Sequence, residues 1–234
     1  MRYSIMLQLA TGITTILVAT AALFAWIQSR SIPEEGALET IVNILQRISI
    51  FILAILALIS LILIASPAVI IPPVNPLVPV TVYVVDSGLH SRLVLPDGDD
   101  GLIQYAYGDW RYFALNQQDL GSGFAALMIP TQGTLGRRKY ENIAQLQQTI
   151  DANITILDFA VDKAKTTQLK KMLDQRFQQN ITTQIFNPLN QMNFVQADLD
   201  YTLYHNSNHE LVAWLKTLDC PVEGFVLLAD FQLK

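Results

Sequence analysis

Cysteine is almost absent. Cys220 is the only one in 234 residues, so no intramolecular disulfide can form and no thiolate metal cluster can be assembled. Histidine is nearly as scarce, with His90, His205 and His209. His205-x-x-x-His209 spans a turn rather than one helix face, and no cysteine or carboxylate clearly joins the three, so no metal site is expected. Charge is thin at 15% of residues, against about 25% in an average soluble domain. Basic charge is the scarcer sign. Beyond residue 80 there are 12 Lys and Arg against 17 Asp and Glu. A domain without a basic face is poorly matched to phosphate backbones, so nucleic acid is not an expected partner. The local exception is Arg137-Arg138-Lys139, read as solvated loop charges, with anionic headgroup contact as the alternative. No motif identifies a cofactor.

Apolar residues are abundant instead, at 51%, and the excess sits in the first 80 positions. Residues 7–27 carry no charge, and ISIFILAILALISLILI (48–64) is richer still. At about 1.5 Å rise per residue each run can cross a hydrocarbon core about 30 Å thick. Neither has a polar stripe, which excludes a surface-lying amphipathic helix. Two membrane spans are therefore expected, at about residues 7–27 and 48–65. A cleaved leader is disfavoured for the first, since its apolar run is long and no small-x-small site follows. Arg30 and Arg47 lie between the runs, and no Lys or Arg follows the second until Arg92. The positive-inside rule then puts the connecting loop in the cytoplasm and the C-terminal domain outside it.

The expected organisation is a membrane anchor over 1–65, a linker over 66–80 and an extramembrane domain over 81–234. SPAVIIPPVNPLVPV (66–80) holds five prolines, which fix φ, remove donors and favour an extended spacer. The continuous β-branched run TVYVV (81–85) reads as a buried strand. Further strands are read at SRLVL (91–95), IQYAY (103–107) and ITILDFAV (154–161), and a closing strand at GFVLLADFQL (224–233). Asp162 is placed to cap a helix over 163–179, with Leu169, Met172, Leu173 and Phe177 as its apolar stripe. A second helix is expected over 210–218. Strands grouped early, with helices between and after, indicate an α+β domain.

The chemistry-bearing residues collect in two places. His90 follows a buried strand in GLHSRLVL, and Ser207 opens a helix in YHNSNHELVAWL. A histidine at a strand end can serve as base to a nucleophile at a helix start, where the helix dipole favours a developing oxyanion. A third polar group should orient the imidazole, and Gln104 and Asp109 are the candidates. A structural reading stands beside this one. Ser207-Asn208-His209-Glu210 has the Ser-x-x-Glu form of a capping box, in which the hydroxyl takes the Glu210 amide and Glu210 reaches back to the Ser207 amide. His205 and His209 are read as loop and first-turn residues. Tyr105, Tyr107, Trp110, Tyr112 and Phe113 are read mainly as core and rim.

Three blocks carry a resemblance: VYVVDSGLHSRLVLP (82–96), QYAYGDWRYF (104–113) and YTLYHNSNHELVAWLKTLDC (201–220). Taken in order they resemble an uncharacterised bacterial family of membrane-anchored or exported proteins, some encoded beside urease genes. That family is similar to permuted papain-like proteins, including NlpC-type peptidases and lecithin retinol acyltransferase. The resemblance implies a papain-like mixed sheet-and-helix domain in which His90 matches the catalytic histidine and Ser207 stands where the family has cysteine. Gln104 stands where the family tends to have Glu, and Asp109 is retained. A serine hydroxyl does not ionise as a thiol does beside an imidazole and a helix N-terminus. The favoured expectation is thus a membrane-anchored domain with a degenerate papain-like site, binding an envelope small molecule, peptide, lipid or partner protein. The alternative is a hydrolase or acyltransferase acting on amide or ester bonds, with His90 as base, Ser207 as nucleophile and Gln104 or Asp109 as orienter.

Overall fold

The computed structural model describes residues 36–65, 67–87, 90–117, 129–151, 154–227 and 230–234. The first expected span, at 7–27, lies outside them. The chain divides into two compact units, Met1–Ser66 and Pro67–Lys234. In the first, α1 (Gly36–Ala65) is a 30-residue helix. Its stretch Val42–Ile59 is long and apolar enough to cross a membrane, with mean hydropathy 2.2 and none of it buried within the protein.

The second unit is built on ten strands and three helices among its described residues. Strand β1 (Ala68–Ile70) comes first, then β2 (Pro79–Asp86), β3 (Ser91–Pro96) and β4 (Leu102–Asp109). A π-helical turn, Trp110–Ala114, follows. Next come β5 (Thr131–Tyr140), α2 (Ile143–Gln148), β6 (Thr155–Asp162), α3 (Lys163–Gln179), β7 (Ile185–Asn187) and β8 (Met192–Tyr201). The chain ends with α4 (Ser207–Thr217), β9 (Val222–Glu223) and β10 (Phe231–Leu233). Seven strands form one sheet in the order β6-β2-β3-β4-β5-β8-β7, every pair antiparallel. This is the mixed α+β class expected, built on a large antiparallel sheet.

Side chains alternate between the faces of a strand, so the sheet sorts its residues by parity. One face presents Val82, Val84, Leu93, Leu95, Tyr105, Tyr107, Leu135 and Val195 to α3 and α4, which contribute Leu169, Leu173, Phe177, Leu211, Trp214 and Leu215. We call this the helical face. The other pleat carries Val85, Val94, Leu102 and Tyr140, covered by Leu146 of α2. Beside them Ala106, Met192 and Phe194 pack with Ala114 of the π-helical turn. Two glycines let that cover come close. A Cβ on Gly108 would meet the Phe113 ring at 2.3 Å, and one on Gly136 would meet Met192 Sδ at 2.5 Å.

Four expectations change. The proline-rich segment is not wholly a spacer. Ala68 and Ile70 are fully buried, and β1 pairs in parallel with β10 and antiparallel with β9. Arg137, Arg138 and Lys139 lie in β5 rather than a loop. Arg137 pairs with Asp174 at 2.9 Å and sits 4.2 Å over the Phe177 ring. Arg138 lies 4.7 Å over the Tyr140 ring, and Lys139 pairs with Asp97. The closing strand shrinks to β10, because Gly224 turns at φ +101° against the Pro67 carbonyl. In α3 the cap at Asp162 forms, its carboxylate accepting the Ala164 amide at 2.8 Å, but the fourth residue of the buried stripe is Thr166. Met172 is 37% exposed. Phe177→Ala is therefore expected to cost about 3–5 kcal/mol, and Met172→Ala under about 1 kcal/mol, in chemical denaturation followed by tryptophan fluorescence.

Candidate functional site

The sequence reading turned on the start of α4. Asn206, not Ser207, caps this helix. Its Oδ1 accepts the Asn208 and His209 amides at 3.0 and 3.1 Å and lies 2.8 Å from His209 Nδ1. The Ser-x-x-Glu box does not form, because Glu210 has stronger partners. Its carboxylate takes the Arg176 guanidinium and the Trp214 indole N–H, while His205 Nε2 stands 3.4 Å from its second oxygen. Glu210 is buried, and a charged donor from α3 outcompetes a backbone amide for it.

Ser207 is left as the first residue of the helix, 2% exposed. It neighbours the Tyr201 phenol. Tyr201 ends β8 and stacks on Tyr107 with ring centroids 6.1 Å apart. Burial, with Asp109 and Tyr112 nearby, pushes this phenol up to about 12 against the opposing contacts from Ser207. It is therefore protonated at neutral pH and cannot act as a base toward the serine.

His90 packs elsewhere. It immediately precedes β3, and its ring stacks on Phe113 at 4.3 Å and 27°. Phe113 covers Gly108, so His90 lies over the pleat opposite the helical face. Its Nδ1 is buried without a hydrogen-bond partner. Burial first, and Arg92 second, hold the imidazole well below its usual 6.5, so it is neutral. Gln104 points to that same pleat from β4, where it opposes Val94 and Arg138. Its Oε1 accepts the Tyr140 hydroxyl at 2.8 Å, and its Nε2 is buried without an acceptor. Asp109 is 2% exposed and takes the Tyr112 amide at 2.7 Å, which caps the π-helical turn.

The four expected site residues thus fall into two groups. Ser207 and Asp109 both neighbour Tyr201, while His90 and Gln104 share the opposite pleat. Tyr201 was visible in the third sequence block as a strand-end aromatic, but its contact with Ser207 depends on how β8 ends. Arg92 was visible in the first block, with nothing in the sequence to show that it lacks a carboxylate partner. Cys220 is fully buried and pushed up to about 12 by burial, so it is no thiolate at neutral pH. No group of three or more His, Cys, Asp and Glu able to hold a metal occurs among the described residues. A separate crevice of about 860 Å³ lies beside the β3–β4 turn and the first half of α3. There Asp97 is already bridged to Lys139 and Lys170.

No family model, curated protein or solved structure matches this chain.

Two measurements follow from this geometry. Asn206→Ala should cost about 0.5–2 kcal/mol and more than Ser207→Ala in denaturation, whereas a serine-capped helix would reverse the order. His90 is neutral when folded, while its unfolded form protonates near 6.5. Stability is fully present above that pH and falls as pH drops toward the depressed folded value. The denaturation midpoint should therefore decline between pH 7.5 and 5.5. His90→Gln should flatten that decline, leaving the smaller share from His209, which burial also lowers.

Proposed function

We propose that this chain is a membrane-anchored α+β domain of the permuted papain-like kind whose site is degenerate. In this reading it binds an envelope small molecule, peptide, lipid or partner protein and does not turn a substrate over. One observation carries the proposal. Ser207 neighbours the Tyr201 phenol, which is protonated at neutral pH and is no base toward it, and among the described residues the serine hydroxyl has no hydrogen bond to a histidine or carboxylate. Serine catalysis needs a base in hydrogen-bond contact and open donors at the oxyanion position. The neutral imidazole of His90 supports the same reading, since its contact is the Phe113 ring.

The anchor is proposed as two spans. The apolar character of α1 supports the second, and the charge-free run at 7–27 supports the first. With Arg30 and Arg47 between them, the domain from residue 67 onward is assigned to the extracytoplasmic side.

The alternative, a hydrolase or acyltransferase with a His90–Ser207 dyad, is kept in view by the position of Ser207 at the first turn of α4. A fluorophosphonate probe separates the two. Full-length protein in detergent, treated with the probe and mapped by mass spectrometry, should carry no adduct on Ser207. An adduct that disappears in His90→Gln would establish the dyad and overturn the binding reading.

A further inference from the structure

We infer that the pleat bearing Arg92, Gln104 and His90 is a binding site for the carboxylate group of a small ligand. The inference rests on the binding reading above and names the chemistry that the site would select. It starts from Arg92. This side chain lies deep among its neighbours yet keeps part of its surface open. It makes no hydrogen bond or ion pair with any described residue, and the charged group that faces it is another cation, Arg138. A guanidinium carries five N–H donors in a rigid fork matched to a carboxylate. A partly desolvated guanidinium with no counter-charge carries a cost that an anionic partner would offset. Here burial and Arg138 together hold Arg92 below its ordinary range.

The groups around it ask for the same thing. Gln104, 1% exposed, has its Oε1 held by the Tyr140 hydroxyl, and its amide nitrogen is a buried donor with no acceptor. Gln104 opposes Val94 on the neighbouring strand, so it is diagonal to Arg92 on one pleat, at about 7–8 Å between backbones. His90, 8% exposed, lies two residues along the chain from Arg92 and adds the unpartnered Nδ1. Buried polar groups in native proteins are nearly always satisfied. Two unmet groups beside one unpaired guanidinium therefore indicate a missing acceptor-rich partner.

Donor shape selects a carboxylate over phosphate. Arg138 is held by the Gln191 side chain and the Tyr140 ring, and His90 is neutral. The flat guanidinium fork of Arg92 and the single amide donor of Gln104 match the two coplanar oxygens of a carboxylate and leave a tetrahedral phosphate with oxygens unmet. The 860 Å³ crevice makes no such demand, because its buried charges are already paired with one another.

The test uses full-length protein in detergent, with thermal unfolding followed by tryptophan fluorescence. The probes are acetate, its neutral isostere acetamide and inorganic phosphate, at constant ionic strength. Acetate should raise Tm saturably, by about 3–6 °C at ten times its dissociation constant, and acetamide should not. Arg92→Met should abolish the response. Gln104→Glu keeps the acceptor for Tyr140 and supplies a carboxylate within the chain. It should raise Tm without ligand and remove the acetate response, which keeps the test alive should Arg92→Met fail to fold. Equal effects of acetate and acetamide, a stronger effect of phosphate, or no saturable effect would each overturn the assignment. A fluorophosphonate adduct on Ser207 in the same preparation would overturn the binding reading while leaving the acetate result to stand alone.

Discussion

The two-residue period of the central sheet governs every other relationship in the folded domain. Each strand sends alternate side chains to opposite faces, and register fixes which residues share a face. Tyr105 and Tyr107 of β4 go to the helical face with Trp214, while Gln104 and Gly108 go to the other. A shift of one residue in β3 or β4 would exchange the two sets and place Arg92 against α3 and α4. The register is held by large buried side chains on the helical face and by close glycine contacts behind it.

The start of α4 shows the same logic at smaller scale. A helix opens with amides that have no partner inside it, and whatever accepts them decides what the terminus can do. Asn206 takes two, those of Asn208 and His209, and Ser207 lies beside the Tyr201 phenol. A terminus with its donors occupied from within is a structural joint, tying α4 to the end of β8. The Glu210–Arg176 pair fastens the first turn of α4 to α3 as well. Three elements therefore converge on a turn that the sequence presented as a catalytic mouth.

Much of this was legible in the chain. β2, β4 and β6 are rich in β-branched and aromatic residues, β3 in Leu and Val, and α3 carries both its Asp162 cap and an apolar stripe, so local pattern and tertiary role agree. β5 was not legible. TQGTLGRRKY is polar and glycine-bearing, and it is a strand because β4 and β8 flank it in register and because Arg137 packs over Phe177. β8 failed for a similar reason, since its second half, from Ala197 to Tyr201, is acidic and largely outside the core. At the site, the residue types were legible and their partners were not. Ser207, Asn206 and Asn208 are all competent caps, and only the path of the backbone selects Asn206.

The two faces of the sheet handle charge differently. On the helical face Glu210 is buried, but Arg176, the Trp214 indole and His205 surround it. Its charge is compensated, and the cluster does structural work. Behind the sheet Arg92 is surrounded by an amide donor, an imidazole and a second guanidinium. No packing consideration explains that choice, because an apolar side chain of similar volume would avoid the penalty. The penalty would be recovered by a group that brings acceptors to this pleat, which lies opposite α3 and α4 and is covered in part by α2 and the π-helical turn.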